Sequence, residues 1–166
     1  MEIRPEQPGD IEAIRHITKM AFAAVEHSSQ TEAEIVDALR SAGVLAISLV
    51  AIEKRDVVGH IAFSPVTIDA KDLGWYGLGP LSVTPDRQKQ GIGGALVREG
   101  LSRLAKMNAK GCVVLGDPGY YKRLGFDNDP GLVLDGVPAE YFMRLVLNGS
   151  VVPSGHVDYH AGFNAT

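Results

Sequence analysis

The chain has 166 residues, of which 45% are hydrophobic and 22% charged, a composition that predicts one soluble globular domain with a substantial core. The net charge of −4 and the lack of a basic tract argue against a nucleic-acid partner. The single cysteine, Cys112, excludes an internal disulfide, and no apolar run approaches membrane-spanning length. A cytoplasmic protein without a membrane partner is therefore expected.

Two amphipathic helices are predicted after a short first strand at residues 2–4. Apolar residues at positions 11, 14 and 17 keep helical spacing, so the first helix is expected from the candidate N-cap Asp10 to about residue 24. The Thr31-x-x-Glu34 pattern is typical of a capping box, which predicts a second helix from there to about Arg40.

Three antiparallel strands are predicted next. The segments 45–53 and 57–68 are apolar and rich in β-branched residues, and the charged turn at residues 54–56 joins them as a hairpin. A third strand covers residues 75–83. Gly79 and Pro80 interrupt it, and they mark a bulge or a close approach of the backbone.

The second half of the chain predicts alternating helices and strands. A helix is expected over residues 91–107 and a strand, parallel to the preceding one, over residues 111–115. Asp117 and Pro118 form a helix start, and Gly125 ends that short helix. A further strand is expected at 140–147. Residues 148–166 are assigned to a C-terminal extension of the same domain, with no secondary structure predicted.

The segment from Leu81 to Leu96, LSVTPDRQKQGIGGAL, predicts a phosphate-binding loop between a strand and a helix. Its glycines allow close approach of a ligand to the backbone, and the first N–H groups of the helix attract an anion. The segment lacks the Gly-Lys-Ser/Thr ending of a Walker loop. It also carries Leu96 where the dinucleotide fingerprint requires a glycine.

This loop resembles the Q/R-x-x-G-x-G/A loop of the GNAT superfamily of acyl-CoA N-acyltransferases, since Gln88, Gly91 and Gly93 match its spacing. Leu81, Val83 and Pro85 resemble the strand and turn that precede the loop in that family. The order of predicted elements is also similar to the family's over nearly the whole chain. The resemblance implies an α/β fold of the α+β type, with a central mixed, mostly antiparallel sheet of six to seven strands and about four helices.

A second motif, DPGYYKRLGF at residues 117–126, resembles the Y-x-x-x-G-F element of the same family. Tyr121 stands four residues before Gly125 and matches the tyrosine that often lies near the CoA sulfur and acts as general acid. Tyr120 lies about 100° away around a helix, so both side chains cannot reach one atom. The alternative interpretation is that both tyrosines pack against the core. The GDPxYYxxxGF form is similar to a bacterial branch of largely uncharacterised acetyltransferases.

The resemblance implies an acetyl-CoA-dependent N-acetyltransferase that acts on a primary amine in a ternary complex, with acetyl-CoA as co-substrate and no metal. The catalytic residue implied is Tyr121. The residues implied to bind the donor are Leu81, Ser82, Val83, Arg87, Gln88, Lys89, Gln90, Gly91, Ile92, Gly93, Gly94, Tyr120, Tyr121 and Arg123. The alternative is a GNAT-fold module that binds acyl-CoA without catalysis.

The acceptor and the general base are left open by the sequence. The acceptor is a small-molecule amine or an amine of a protein or peptide, and a homodimer is an option. Residues 75–83 hold no acidic side chain of the kind that serves as base in some relatives. Glu26, His27 and His60 are candidate bases, and a base that acts through water is an equal alternative.

Metal and thiol chemistry find no support in the sequence. The five histidines show no ligand spacing with cysteine or carboxylate residues. Cys112 lies in an apolar run without a cationic neighbour, so we interpret it as a buried strand residue rather than a nucleophile.

Overall fold

The computed structural model describes residues 1–166 and contains eight strands and four α-helices. The strands are β1 (Glu2–Pro5), β2 (Ile47–Glu53), β3 (Asp56–Ile68), β4 (Trp75–Val83), β5 (Gly111–Leu115), β6 (Leu132–Val133), β7 (Phe142–Val146) and β8 (Gly155–Tyr159). The helices are α1 (Ile11–Phe22), α2 (Glu32–Ser41), α3 (Ile92–Lys106) and α4 (Pro118–Tyr121). The predicted α/β class with a mixed, mostly antiparallel sheet is confirmed.

The sheet runs in the order β1-β2-β3-β4-β5-β7. All pairs along this path are antiparallel except β4 with β5, which are parallel because α3 carries the chain back between them. The β2–β3 hairpin turns through Lys54 and Arg55, whose φ angles of 49° and 71° belong to a two-residue type I′ turn. β8 pairs with the last part of β3, from Val66 to Ile68.

Alternate side chains of the sheet face two different layers. Leu49, Ile61 and Phe63 pack on the side of α3, in a core cluster that also contains residues of that helix. On the opposite side, Val50 packs with residues of α1 and α2. The sheet therefore lies between α3 on one face and α1 with α2 on the other.

Several predicted helix caps and element ends were wrong. Asp10 places no side-chain cap on α1, because its carboxylate instead binds the Gln7 N–H at 2.7 Å and the Arg4 guanidinium. Thr31 caps nothing either, since its hydroxyl lies 2.5 Å from that of Ser29. The first helix ends at Phe22 rather than near residue 24.

The strand predictions were right in kind but partly wrong in extent. The strands predicted at 75–83 and 111–115 match β4 and β5 as found. The strand predicted to start at residue 45 begins at Ile47. The strand predicted at 140–147 is β7, which a short 3₁₀ turn at Ala139–Tyr141 precedes. The extension at 148–166, with no prediction, contains β8 and a 3₁₀ turn at Ala161–Asn164. With β6 and β8, the strands number eight rather than six to seven.

Candidate active site

A cleft of about 730 Å³ opens where the C-terminal end of α1, the end of β4, the start of α3 and the α4 region meet. Its walls combine a glycine-rich helix start, four cationic side chains and a tyrosine. The residues that line it are Ala21, Phe22, Val25, Leu81, Val83, Arg87, Gln88, Lys89, Gly91, Ile92, Gly93, Gly94, Arg98, Tyr120, Arg123 and Leu124. Most of the predicted donor-binding loop is therefore on this one surface.

The floor of the cleft is the part of β4 that has only one partner strand. β5 pairs with β4 only from Trp75 to Leu78, whereas β3 continues to pair with it as far as Val83. The β3–β4 register shifts between these two regions, which places the predicted bulge at Gly79 and Pro80. Because β5 has ended, one backbone edge of residues 79–83 is available to a ligand.

The start of α3 has the geometry of an anion site. Gly91 adopts a φ of 87°, a conformation that glycine accepts without strain, and the first helical hydrogen bond runs from the Ala95 N–H to the Gly91 carbonyl. The N–H groups of Ile92, Gly93 and Gly94 therefore have no acceptor within the helix. No side chain caps the helix, so these dipoles face the cleft at the positive end of a 15-residue helix.

Four cationic side chains surround this helix start. Arg87, Lys89, Arg98 and Arg123 all line the cleft. Arg87 also pairs with Glu53 at 2.8 Å, and that contact fixes its position at the rim. The ammonium of Lys122, the neighbour of Arg123 in the sequence, lies 3.8 Å from the Asp127 carboxylate, and Lys122 does not line the cleft.

The rings of the two tyrosines of α4 pack edge to face with centroids 5.0 Å apart rather than diverging, but only one of them lines the cleft. Tyr120 lines the cleft, and its hydroxyl is only 2.6 Å from the point where a Cβ on Gly93 would stand. Tyr121 is 9% exposed and belongs to the main core cluster, with its ring edge-on to Phe126 and over Gly116 at the end of β5. Burial raises the pKa of both hydroxyls, so both phenols stay protonated near neutral pH.

Three predicted donor-binding residues do not line the cleft: Tyr121, which lies in the core, Ser82 and Gln90. Ser82 is 1% exposed, and strand alternation directs its side chain to the α1 face, while its neighbours Leu81 and Val83 line the cleft. The Gln90 amide donates to the Asp86 carbonyl at 3.4 Å. The Gln88 amide donates to the Val83 carbonyl at 3.0 Å and so ties the loop to β4.

Sequence reasoning missed Arg98, Leu124 and the end of α1. Arg98 lies one turn after Gly94 in α3, and its guanidinium is 3.3 Å from where a Cβ on Gly94 would stand. An i, i+4 count from Gly94 could have found it. No local signal places Ala21, Phe22 and Val25 in this wall, because only the packing of α1 against β3 and β4 brings them there.

The candidate bases lie apart from the cleft lining. Glu26 and His27 are exposed in the connection between α1 and α2, whereas His60 is completely buried on β3. Cys112 is buried on β5 as interpreted from the sequence, and burial raises the pKa of its thiol. No cluster of three or more His, Cys, Asp and Glu side chains is arranged to hold a metal ion. None of the helices has the length and apolar character needed to cross a membrane.

β4 and β5 separate beside the glycine-rich start of α3. This arrangement is typical of the acetyltransferase class that the sequence motifs resemble. Residues 45–128 match the model of the GNAT acetyltransferase domain, and the chain belongs to that family. It is 35% identical to the uncharacterized N-acetyltransferase YhbS of Escherichia coli K12, with 99% of each chain covered. The predicted membership of a bacterial GNAT group is thus confirmed, and the protein is an acetyltransferase.

Two solved structures are similar over nearly the whole chain. One is a GNAT family acetyltransferase from Brucella melitensis in complex with acetyl-CoA, with 52% identity, a TM-score of 0.88 and coverage of 98% of this chain and 97% of that one. The other is YhbS from Escherichia coli in complex with CoA, with 35% identity, the same TM-score and coverage of 98% and 91%. One of these structural relatives therefore binds acetyl-CoA and the other binds CoA.

Proposed function

We propose that this protein transfers the acetyl group of acetyl-CoA to a primary amine by direct attack within a ternary complex. The observation that carries the proposal is the free N-terminus of α3, ringed by four cations and adjoining the single-partner edge of β4. A pyrophosphate fits the helix start because backbone N–H groups and positive charge converge there. The apolar side chains of Leu81 and Val83 extend this surface away from the phosphates.

The chemistry needs an amine, an oxyanion site and a proton for the leaving group. As the amine nitrogen attacks the thioester carbonyl, a C–N bond forms and the carbonyl oxygen gains negative charge, which the N–H groups on the free edge of β4 would stabilise. Collapse of this intermediate breaks the C–S bond. The thiolate takes its proton from the general acid, and the nitrogen loses its excess proton to a base. Alignment of the two substrates in the cleft supplies much of the rate.

We assign the acid to Tyr121 and a donor contact to Tyr120. The Tyr120 hydroxyl lies over Gly93, at the phosphate end of the surface. Tyr121 packs on Gly116, directly after β5, so it is near the region where β4 and β5 separate. A phenol with a raised pKa holds its proton until the thiolate leaves.

The whole chain acts as one catalytic unit in this proposal, because β8 of the C-terminal extension pairs with β3 at Val66–Ile68 and its Tyr159 packs against Gly77 of β4. Self-association stays a prediction, which sedimentation velocity would check.

The proposed activity is tested by incubating the purified protein with acetyl-CoA and a panel of primary amines that includes polyamines, amino acids, aminoglycosides and lysine peptides. Free thiol release that depends on the amine, with a matching acetylated product by mass spectrometry, is expected for at least one panel member. CoA binding without transfer to any amine would contradict the enzymatic proposal and favour the alternative, a binding module.

A further inference from the structure

Buried polar side chains line the α1 face of the sheet directly behind the floor of the cleft. Thr18 of α1, His60 and Ser64 of β3, and Ser82 of β4 are each no more than 1% exposed. Each carries one polar atom without a hydrogen-bond partner in the protein: Thr18 Oγ1, His60 Nδ1, Ser64 Oγ and Ser82 Oγ. Buried polar atoms are normally satisfied, so this group, which we call the polar layer, has capacity for water or a reacting proton.

A hydrogen-bonded chain connects the polar layer to the outside. His60 Nε2 lies 2.8 Å from the Ser48 hydroxyl, and the Ser48 hydroxyl donates to Glu6 Oε1. Glu6 Oε2 accepts a hydrogen bond from Arg40 Nε at 2.8 Å. The Glu6 side chain is 17% exposed, so the chain leads from a fully buried histidine to solvent.

This chain fixes the proton positions on His60. The single Ser48 hydroxyl proton is used toward the Glu6 carboxylate, so Ser48 Oγ must accept from His60 Nε2–H. His60 Nδ1 is then a bare lone pair, buried and without a partner. The histidine is neutral, because burial lowers its pKa to about 4, an effect that Glu6 opposes and Arg40 reinforces.

Glu6 is ionised at the outer end of the chain. Burial acts to raise its pKa, but the hydrogen bonds from Arg40 and Ser48 outweigh burial, and the pKa is lowered. The charged groups that face His60 are thus Glu6, which precedes α1, and Arg40 of α2, which also binds Asp37 at 3.1 Å. The neighbouring polar residues of α1, β2 and β4 are uncharged.

The inner end of the chain lies behind the cleft lining, with one residue on β4 and one on α1 next to residues that line the cleft. Ser82 stands directly opposite His60 in the β3–β4 register, and side chains of opposite residues share a face with Cβ atoms about 4.5–5.5 Å apart. Neither Ser82 Oγ nor His60 Nδ1 has a partner in the protein, so both are free to bind a water between them. Ser82 itself lies between two cleft residues, Leu81 and Val83. Thr18 lies one turn before Ala21 and Phe22, which also line the cleft.

We infer that Ser82, His60, Ser48 and Glu6 form a relay that carries the acceptor's proton from the cleft to solvent, an inference that rests on the proposed transfer to an amine. Before the amine attacks, the proton that its ammonium form must lose passes through water to Ser82 Oγ, and the proton displaced there passes, through a water shared by Ser82 and His60, to His60 Nδ1. His60 Nε2 releases its proton to Ser48 Oγ, and Ser48 releases its own to the Glu6 carboxylate, which returns it to solvent. His60 is a positioning residue that acts through Ser82 and does not touch the substrate.

The decisive variant is His60→Gln, measured on the amine that gives the highest turnover in the panel. Glutamine still donates a hydrogen bond to Ser48 but has no lone-pair nitrogen to pass a proton. The value of kcat at pH 7 should fall about 10²-fold, at the lower end for proton-transfer catalysis, with the KM for acetyl-CoA unchanged. The deficit should shrink as pH rises toward 10, where the acceptor is already deprotonated. Ser82→Ala and Glu6→Gln should show the same pH-dependent deficit to a smaller degree.

Ser64→Ala is the matched control, because Ser64 is equally buried in the polar layer, has an unpartnered hydroxyl and lies outside the chain. Its pH profile should follow the wild type. A pH-independent loss in His60→Gln, or an equal loss in Ser64→Ala, would show a structural role and overturn the relay. If His60→Gln does not fold, the profiles of Ser82→Ala and Glu6→Gln decide by the same criterion.

A second measurement needs no acceptor. Imidazole ¹⁵N chemical shifts of the wild-type protein at pH 7 should show His60 neutral with its proton on Nε2, and Glu6→Gln should redistribute the proton between the two ring nitrogens. A proton on Nδ1 in the wild type would overturn the relay. Absence of transfer to every amine, with the Nε2–H tautomer present, would instead count against the proposed function.

Discussion

Adjacent tyrosines in α4 are separated into two environments by a single helical step. Tyr120 lies in the cleft wall, while Tyr121 is buried among core residues and contacts Gly116 and Phe126. Position on the cleft favours Tyr120 as a reactive group, whereas the spacing to Gly125 favours Tyr121. The two assignments differ in which hydroxyl reaches the departing sulfur, and a pair of matched substitutions separates them.

Tyr121→Phe is expected to lower kcat about 10²-fold while nearly preserving the affinity for CoA, since it removes a transferable proton and keeps the ring contacts. Tyr120→Phe should keep kcat close to wild type. Steady-state kinetics on the best amine of the panel measure both. Loss of turnover in Tyr120→Phe alone would transfer the acid role to the cleft-facing tyrosine, and normal turnover in both would leave water as the proton donor.

At the scale of single residues, the sequence predicted the cleft positions that follow from local spacing. Gly91, Gly93, Arg87 and Lys89 of the loop line the cleft, as does Arg123 of the second motif. The predicted caps failed because two alternative partners for a short polar side chain differ little in energy. Asp10 binds Arg4, and Thr31 binds Ser29, instead of a helix N–H.

At the scale of elements, the start of α3 lies against α4 at Gly93, next to the Tyr120 hydroxyl. A Cβ on Gly93 would lie 2.6 Å from the Tyr120 hydroxyl, so a side chain there collides with Tyr120 even without a ligand. Loss of CoA affinity in a Gly93 variant therefore has two candidate causes, the tyrosine and the phosphate. A double-mutant cycle distinguishes them.

We expect Gly93→Ala to weaken CoA binding about 10- to 100-fold, the equivalent of one charge-assisted hydrogen bond of about 1.5–3 kcal/mol. The same loss should appear in a Tyr120→Phe background, where the colliding hydroxyl is gone. Isothermal titration of CoA into the four proteins of the cycle measures the coupling. Full recovery of affinity in the double variant would mean that Gly93 only makes room for Tyr120, and the pyrophosphate would then have to bind elsewhere.

The elements that were not predicted from the sequence are those whose stability comes from tertiary contacts. β8 has five residues, GHVDY, and only Val157 and Tyr159 are apolar, so its local pattern is too short to distinguish a strand from a loop. Its pairing with β3 and the packing of Tyr159 on Gly77 stabilise it. β4 and β5, by contrast, were predicted with correct bounds, because most of their residues are apolar and glycines lie at their ends.

At the scale of the whole molecule, the two faces of the sheet differ in polarity. The α3 face holds the largest apolar cluster, whereas the α1 face combines apolar residues with the polar layer. Strand alternation in the sequence predicts which residues share a face but not that His60 and Ser82 become opposite partners, because register depends on the bulge at Gly79 and Pro80. The proposed cleft was thus predictable, and the buried network behind it was not.

The buried His60 links the proposed relay to the stability of the whole fold at acidic pH. The pKa of His60 is lowered from 6.5 to about 4, so the unfolded chain takes up a proton near pH 6.5 and the folded chain does not. The stability contributed by neutral His60 is complete above pH 6.5 and is lost as the pH falls from 6.5 to about 4. The pKa values of Glu6 and Asp10 are lowered from 4.5 and 3.8. The stability that these two carboxylates contribute is therefore present above those values and is lost only as the pH falls below them.

Urea unfolding should therefore show the wild type losing about 2 kcal/mol between pH 7 and pH 5, the linkage expected when one histidine takes up a proton in the unfolded state alone. The His60→Gln variant should have a lower free energy of unfolding at pH 7 than the wild type, but that free energy should change little between pH 7 and pH 5. His16→Gln is the control, because His16 is exposed on α1 and should leave the pH dependence as it is in the wild type. A wild type whose stability is the same at both pH values would mean that folding does not lower the pKa of His60, and the neutral buried histidine on which the relay depends would then be absent.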